Sequence, residues 1–163
     1  MLRGNYAAKI DDKGRLKVPN AFRALVEGKH GSELFVTSLT GQSVLIYPMP
    51  VWLTLEEKLA KVPSTHPARI KYFDRVNYYG QGAEFDTQGR VLIHPRLREA
   101  AGMTGEVDVF GQYDFLEVWN HERFISKLKS EPSQRRCRRR STHEGFSLSI
   151  RPAAESSGWP CLL

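Results

Sequence analysis

The sequence predicts an α+β fold, mainly β, in which one structural unit occurs twice in tandem. The first observation is a repeated motif, because residues 11–19 (DDKGRLKVP) and 86–95 (DTQGRVLIHP) each place an Asp three residues before a Gly-Arg pair. The second is that each motif is followed by a helical pattern, two β-rich runs and a further helical pattern. The 163 residues suffice to bury one ordinary core or two very small ones. The predicted architecture is therefore a duplicated hairpin–helix–hairpin–helix unit.

Each copy opens with a β-hairpin that turns on the motif. In the first copy, residues 6–10 form the first predicted strand, and residues 16–18 alternate apolar and polar side chains like a strand buried on one face. An Asp side chain accepts hydrogen bonds from backbone amides two or three residues on, and Gly adopts the positive φ of a tight turn without a Cβ clash. Asp11 and Asp86 are therefore predicted to stabilise the two turns.

A short helix, a second hairpin and a second helix complete the first copy. The pattern at residues 20–27 predicts a helix that ends at Gly28. Residues 34–37 and 43–47 are β-rich and are predicted to pair as a hairpin. A following helix is predicted by four apolar residues at helical spacing, Trp52, Leu55, Leu59 and Val62.

The second copy repeats this order from about Gln81. Its short helix is predicted to end at Gly102, and residues 107–110 and 115–119 are its later strands. Asn120 is predicted to cap the N-terminus of the last helix, because its short side chain accepts hydrogen bonds from the first free amides. Two copies of the same element order are a more specific pattern than the motif alone.

Composition divides the chain into four segments. The first repeat is predicted at residues 1–62 and the second at residues 80–132. Residues 63–79 form a junction segment, since its prolines neither extend a helix nor fill a central strand. Residues 133–163 form an Arg-rich tail that is predicted to be disordered.

The tail carries most of the net charge. Six arginines and two glutamates in residues 133–163 account for +4 of the +6, which leaves only +2 on residues 1–132. Two interpretations of the tail stay open. It adds salt-sensitive, sequence-independent affinity for DNA, or it is an out-of-frame extension with no selected role. In either case the high isoelectric point is weak evidence that the folded region binds nucleic acid.

Several classes of protein are disfavoured. There is no apolar run of about 18 residues and no signal peptide, so a cytoplasmic protein is expected. Both cysteines, Cys137 and Cys161, lie in the tail, so no disulfide is expected in the folded region. The five histidines have no metal-ligand spacing, and no Gly-rich phosphate loop is present. We therefore expect no enzyme, no metal and no cofactor.

The duplicated motif resembles the MraZ family, transcriptional regulators named for the bacterial division and cell-wall gene cluster and built on the swapped-hairpin AbrB fold. The resemblance covers Met1 to about Lys129. It is carried by Arg3-Gly4, the two Asp-x-x-Gly-Arg motifs with Val18-Pro19 and Ile93-His94-Pro95, the segment Leu97-Arg98-Glu99-Ala100-Ala101-Gly102, and Leu116-Glu117-Val118-Trp119. It implies two AbrB-like repeats that interleave as a swapped-hairpin pseudo-dimer with short peripheral helices.

The resemblance also implies a function. A member of this family is expected to be a ring-forming homo-oligomer, associated with the nucleoid, that binds double-stranded DNA at spaced G-rich direct repeats and represses the division and cell-wall cluster. No membrane partner is implied. The implied DNA-binding residues are Arg3, Lys13, Gly14 and Arg15, with Gly89 and Arg90 as counterparts in the second copy.

The chemistry of these side chains leaves two interpretations open. The ammonium of Lys13 can neutralise phosphate, and the planar fork of Arg15 suits guanine O6 and N7. Alternatively, Arg15 and Arg90 pair with the motif aspartates and only stabilise the turns. The structural interpretation is favoured for Arg90, because Gln88 stands where the first copy has Lys13. The rival function is an oligomeric structural or protein-interaction module without specific DNA binding.

Overall fold

One antiparallel sheet of eight strands dominates the computed structural model, which describes residues 1–131. The predictions for the Arg-rich tail lie outside these residues. In chain order the elements are β1 (Leu2–Ile10), β2 (Arg15–Lys17), α1 (Asn20–His30), β3 (Glu33–Thr37), β4 (Val44–Pro48), α2 (Met49–Ala60), α3 (Pro67–Tyr79), β5 (Gln81–Glu84), β6 (Arg90–Leu92), α4 (Pro95–Ala101), β7 (Gly105–Tyr113), β8 (Phe115–Asn120) and α5 (His121–Ser130). The predicted class, α+β and mainly β, is confirmed.

The two copies share this sheet, since strands of one copy pair with strands of the other. The strand order is β5-β3-β4-β8-β7-β1-β2-β6. Thus β1 pairs with β7, β2 with β6, β3 with β5, and β4 with β8. The two end strands, β5 and β6, are joined by the second motif, where the amide of Asp86 donates to the carbonyl oxygen of Arg90 at 2.9 Å. The sheet is therefore a nearly closed, barrel-like structure.

Alternation along the two short motif strands, β2 and β6, builds part of the core. Leu16 of β2 faces Val91 of β6, and both are fully buried. The residues that follow these strands, Val18 and Ile93, are also fully buried. Helices α1 and α4 cover this layer with corresponding buried side chains, Phe22 and Leu97. The equivalent residues of the two copies therefore form one core.

A second apolar cluster fixes α2 and α3 to the sheet. Trp52 of α2 stacks on Phe35 of β3, with ring centroids 4.3 Å apart. The buried hydroxyl of Thr37 donates to the carbonyl oxygen of Val76 at 2.6 Å. Because the last four carbonyls of a helix have no partner within the helix, this bond satisfies one of them at the end of α3.

Several predicted boundaries were wrong, and those of α1 and β1 differ by three and four residues. Helix α1 does not end at Gly28 but continues to His30 and ends at Gly31, which has a φ of +85°. Strand β1 begins at Leu2, four residues before the predicted start, because it pairs with β7 along its whole length. The predicted end of the second short helix at Gly102 is confirmed, with a φ of +61°.

Candidate nucleic-acid interface

The Asp11 carboxylate organises the first turn. Its Oδ1 atom accepts hydrogen bonds from the backbone amides of Lys13 at 3.0 Å and Arg15 at 2.9 Å. Its Oδ2 atom lies 2.7 Å from both Nε and Nη2 of Arg15. Gly14 takes a φ of +80° and donates its amide to the Asp11 carbonyl at 2.9 Å. The backbone hydrogen bond from Arg15, reinforced by its guanidinium, lowers the pKa of Asp11 despite the opposing effect of desolvation.

The second turn has the same hydrogen bonds. Asp86 Oδ1 accepts from the amides of Gln88 at 2.9 Å and Arg90 at 2.8 Å, and Oδ2 accepts from Arg90 Nε at 2.7 Å. Gly89 has a φ of +73°. The backbone hydrogen bond from Arg90 is the largest of the effects that lower the pKa of Asp86 to about 2. Both motif arginines are therefore held by an aspartate, whatever else they bind.

Each turn also accepts a backbone hydrogen bond from a residue of the other copy. The amide of Val18 donates to the carbonyl oxygen of Gly89 at 3.1 Å, and the amide of Ile93 donates to that of Gly14 at 3.0 Å. Since β2 and β6 are three residues long and antiparallel, the turns lie at opposite ends of a ribbon about 7 Å long. The motifs thus form one local surface.

Alternation places the basic side chains on the outer face of this ribbon. Leu16 is buried on the inner face, so Arg15 and Lys17 on either side of it lie on the outer face. Arg90 lies on the same face, opposite Lys17 in the register. Lys17 also donates its ammonium to the carbonyl oxygen of Gln88. Lys17 was absent from the predicted site, and its position follows from the pairing of β2 with β6.

Arg3 is separate from this surface. It lies near the start of β1, seven residues before Ile10, which corresponds to about 23 Å along a strand. Its Nη2 atom lies 3.0 Å from the sulfur of Met1. The structure therefore brings Lys13, Gly14, Arg15, Gly89 and Arg90 together and leaves Arg3 at the far end of β1.

Two further arginines, also absent from the predicted site, cover the turns. Arg98 of α4 lies on Gly14, where an added Cβ atom would be 1.5 Å from Arg98 Nη1. Arg23 of α1 lies on Gly89, where an added Cβ would be 2.7 Å from Arg23 Cδ. Each helix thus covers the turn of the other copy. In both helices the arginine directly follows a buried apolar residue, Phe22 or Leu97, which is the sequence pattern that identifies the pair.

Sites for other ligands are not evident in residues 1–131. No group of three or more His, Cys, Asp or Glu side chains there is arranged to hold a metal ion. No helix in the same range is long and apolar enough to cross a membrane.

The fold and this surface define a class: a duplicated, mainly β protein in which two Asp-fixed turns flank one basic face. A family model described as "MraZ protein, putative antitoxin-like" matches residues 1–73 and 81–142. The chain therefore belongs to the MraZ family. The match extends beyond Lys129, where the motif resemblance ends, and it omits the last residues of α3, a helix for which residues 1–131 contain no counterpart in the second copy.

Curated relatives agree with this assignment. A protein of Acidobacterium capsulatum named "Transcriptional regulator MraZ" is 48% identical over 132 residues, covering 81% of this chain and 90% of the relative. A protein of the same name from Koribacter versatilis is 47% identical over 133 residues, which cover 81% of this chain and 90% of the relative. Another, from Herpetosiphon aurantiacus, is 37% identical over 132 residues, which cover 80% of this chain and 88% of the relative. These names describe regulators, so the family is not one of enzymes.

Proposed function

We propose that this protein is a transcription regulator that binds double-stranded DNA sequence-specifically, with the first turn as the reading element. The observation that carries the proposal is the first turn itself, where Asp11 fixes Arg15 while Lys13 stays exposed at the tip. The name shared by the relatives supports the regulatory role. The family resemblance implies the target and the role. The target is a set of spaced G-rich direct repeats in the promoter of the division and cell-wall cluster, and the role is that of a repressor in the nucleoid.

The ion pair in the first turn is compatible with base recognition. A guanidinium carries five N–H donors, and Asp11 binds only the edge formed by Nε and Nη2. The end formed by Nη1 and the second Nη2 hydrogen stays available, and the Arg15 side chain is 31% exposed. That end can donate to O6 and N7 of one guanine. Asp11 then reduces the rotamer entropy that Arg15 loses on binding.

Assembly is the second part of the proposal. With a net charge of only +2 on residues 1–132, one protomer would bind DNA weakly. A ring oligomer would place several turns on successive repeats and raise the effective concentration of each further contact. Support for self-association is a groove of about 430 Å³ beside α1, where Met1, Leu25 and Tyr113 are each more than half exposed.

The arrangement of repeats belongs to the same proposal. Residues 1–62 and 80–132 are two AbrB-like repeats joined by residues 63–79. Pairing of β1 with β7 and of β3 with β5 supports the assignment of a swapped-hairpin pseudo-dimer, because each hairpin contributes to the sheet of the other copy.

A binding experiment tests the proposal. The full chain is titrated with a duplex of spaced G-rich repeats and with a scrambled duplex across a salt series, and the ratio of affinities cancels sequence-independent binding by the tail. Arg15→Ala should reduce the preference by about 1 to 3 kcal/mol, the value of one bidentate base contact. Arg90→Ala is the matched control, since it removes an equivalent Asp-bound arginine from the second turn.

A second candidate function is favoured by one observation. The same Asp–Arg pair occurs in both turns, as expected if it only stabilises a fold used as an oligomeric protein-interaction module. If the full chain shows no preference for the repeats, or Arg15→Ala keeps the preference, this candidate replaces DNA recognition.

A further inference from the structure

We propose that Arg98 binds a DNA phosphate beside the first turn, so that the reading surface is built jointly by the first-copy turn and the second-copy helix α4. This inference rests on the proposed DNA-binding function. It adds a residue that the family resemblance does not assign, and it gives that residue a contact that is independent of base sequence.

The geometry of α4 places the charge at the turn. Leu97 is fully buried and fixes the helix, while Arg98, the next residue, extends over Gly14. An added Cβ at Gly14 would lie 1.5 Å from Nη1, 2.6 Å from Cζ and 3.1 Å from Cδ of Arg98. The guanidinium therefore occupies the space that a side chain at position 14 would need. It lies against the backbone between Lys13 and Arg15.

The charge balance of the turn requires a contribution from outside it. Residues 11–15 contain two aspartates, one lysine and one arginine, so the motif itself is neutral. The excess positive charge at this end of the ribbon comes from Arg98, because Lys17 lies at the other end, where it pairs with Arg90 in the strand register and bonds to Gln88. No acidic side chain within residues 1–131 forms an ion pair with Arg98. A DNA phosphate has the charge and the acceptor oxygens that pair with this guanidinium.

The second turn is covered in the same way, but its covering arginine is paired with a carboxylate. Arg23 covers Gly89 as Arg98 covers Gly14, but Arg23 Nε lies 3.0 Å from Glu27 Oε2. Four residues after Arg98 the chain has Gly102, so no carboxylate is available one helical turn further on. Gln88 replaces Lys13 at the tip. The two arginines therefore share a position in the fold and differ in charge environment, which makes Arg23 a matched control.

The proposal predicts a loss of affinity that is uniform across sequences. Removing one phosphate contact reduces the slope of log K against log salt by about 0.9 per contacting protomer. The resulting loss is about 3.5-fold larger at 50 mM than at 200 mM salt for one contact, as follows from that slope. The preference for repeats over scrambled DNA should not change, because phosphate contacts carry no base information.

The experiment compares Arg98→Gln, Arg98→Lys and Arg23→Gln in the full chain, on repeat and scrambled duplexes from 50 to 200 mM salt. Arg98→Gln should show the reduced slope on both duplexes, Arg98→Lys should restore it, and Arg23→Gln should match the parent. Thermal melting of all variants without DNA identifies any loss of fold, and Arg98→Lys keeps the test valid if Arg98→Gln unfolds.

Three outcomes would overturn the inference. If the parent prefers the repeats but Arg98→Gln keeps the parental slope, the phosphate contact is absent and the proposed function stands. An equal slope change in Arg23→Gln would make the effect one of helix charge rather than of this site. A parent without preference for the repeats would overturn the proposed function and this inference together.

Discussion

Replacing Gly14 by Ala tests how the first turn is built. Gly14 has a φ of +80°, where an L-residue carries a strain of about 1 to 2 kcal/mol. The alanine variant has a lower conformational entropy in the unfolded state, which offsets about 0.4 to 1 kcal/mol of this strain. The expected net loss in the free energy of unfolding is about 1 kcal/mol. For a unit spanning Met1–Ser130 that corresponds to a fall in Tm of about 4 °C.

The matched control is Gly105→Ala. Gly105 has a φ of +66°, and an added Cβ there meets nothing within 4 Å, so this variant carries the conformational cost alone. Gly14→Ala carries a similar cost and must also displace the Arg98 guanidinium. Since that group is the end of a flexible side chain, the displacement adds little to unfolding. It should weaken DNA binding, which Gly105→Ala should not.

Urea unfolding and DNA titration separate the two effects. The two variants should have similar unfolding midpoints, both below that of the parent, while only Gly14→Ala loses affinity for DNA. A Gly14→Ala protein as stable as the parent would refute the argument from backbone conformation. Equal DNA affinity of the two variants would refute the close approach of Arg98 as a determinant of binding.

Three further substitutions test other contacts. Asp86→Asn should lower the free energy of unfolding at neutral pH and weaken the dependence of that free energy on pH. The fold lowers the pKa of Asp86 from 3.8 to about 2, so the ionised carboxylate stabilises the fold above pH 3.8. This stabilisation is lost as the pH falls towards 2. Thr37→Val should cost about 1 to 3 kcal/mol in urea unfolding, since it leaves the buried Val76 carbonyl without its hydroxyl partner. Asn120→Ala should cost about 1 kcal/mol, because the Asn120 side chain accepts from the amide of Arg123 at 3.1 Å as the predicted N-cap of α5.

Conservative variants provide the controls. An acid-unfolding profile of Asp86→Asn identical to that of the parent would contradict the role of the carboxylate. Part of the pH dependence of stability should remain in this variant, because the pKa of Asp11 is also lowered. Thr37→Ser keeps the hydroxyl and should retain more stability than Thr37→Val. If Thr37→Val is as stable as Thr37→Ser, the hydrogen bond to Val76 contributes no more to stability than the Thr37 methyl group does. Asn120→Asp keeps the capping oxygen but loses the amide that donates to the Gly102 carbonyl at 2.9 Å, so it should recover only part of the stability lost in Asn120→Ala.

The sequence predicted what depends on local chemistry. Both turns follow from an Asp that binds nearby amides and a Gly that accepts a positive φ, and both interactions lie within five residues. The end of α1 was misplaced because two glycines three residues apart each suit a helix end. Gly28 lies inside the helix and has no positive φ, whereas Gly31 takes the positive φ that ends it.

Contacts between the copies could not be predicted in this way. Lys17 joins the basic face because β2 pairs with β6, whose residues come more than 70 positions later in the chain. The start of β1 at Leu2 depends on β7, which lies later still. Arg98 has no ion pair within its own helix, and Arg23 forms only a local pair with Glu27. Their position on the glycines of the opposite turns appears only when the two copies share one sheet.

The duplicated fold accounts for an asymmetric surface. The Asp–Gly–Arg chemistry recurs in both turns because each turn closes a hairpin, and Asp86 binds Arg90 as Asp11 binds Arg15. Closing a hairpin does not by itself create an anion-binding site, because the charges of the Asp–Arg pair cancel each other. Around the first turn, excess charge comes from residues outside that pair, whereas around the second the covering arginine is bound by a carboxylate. One copy can therefore serve recognition while the other provides the helix that completes it.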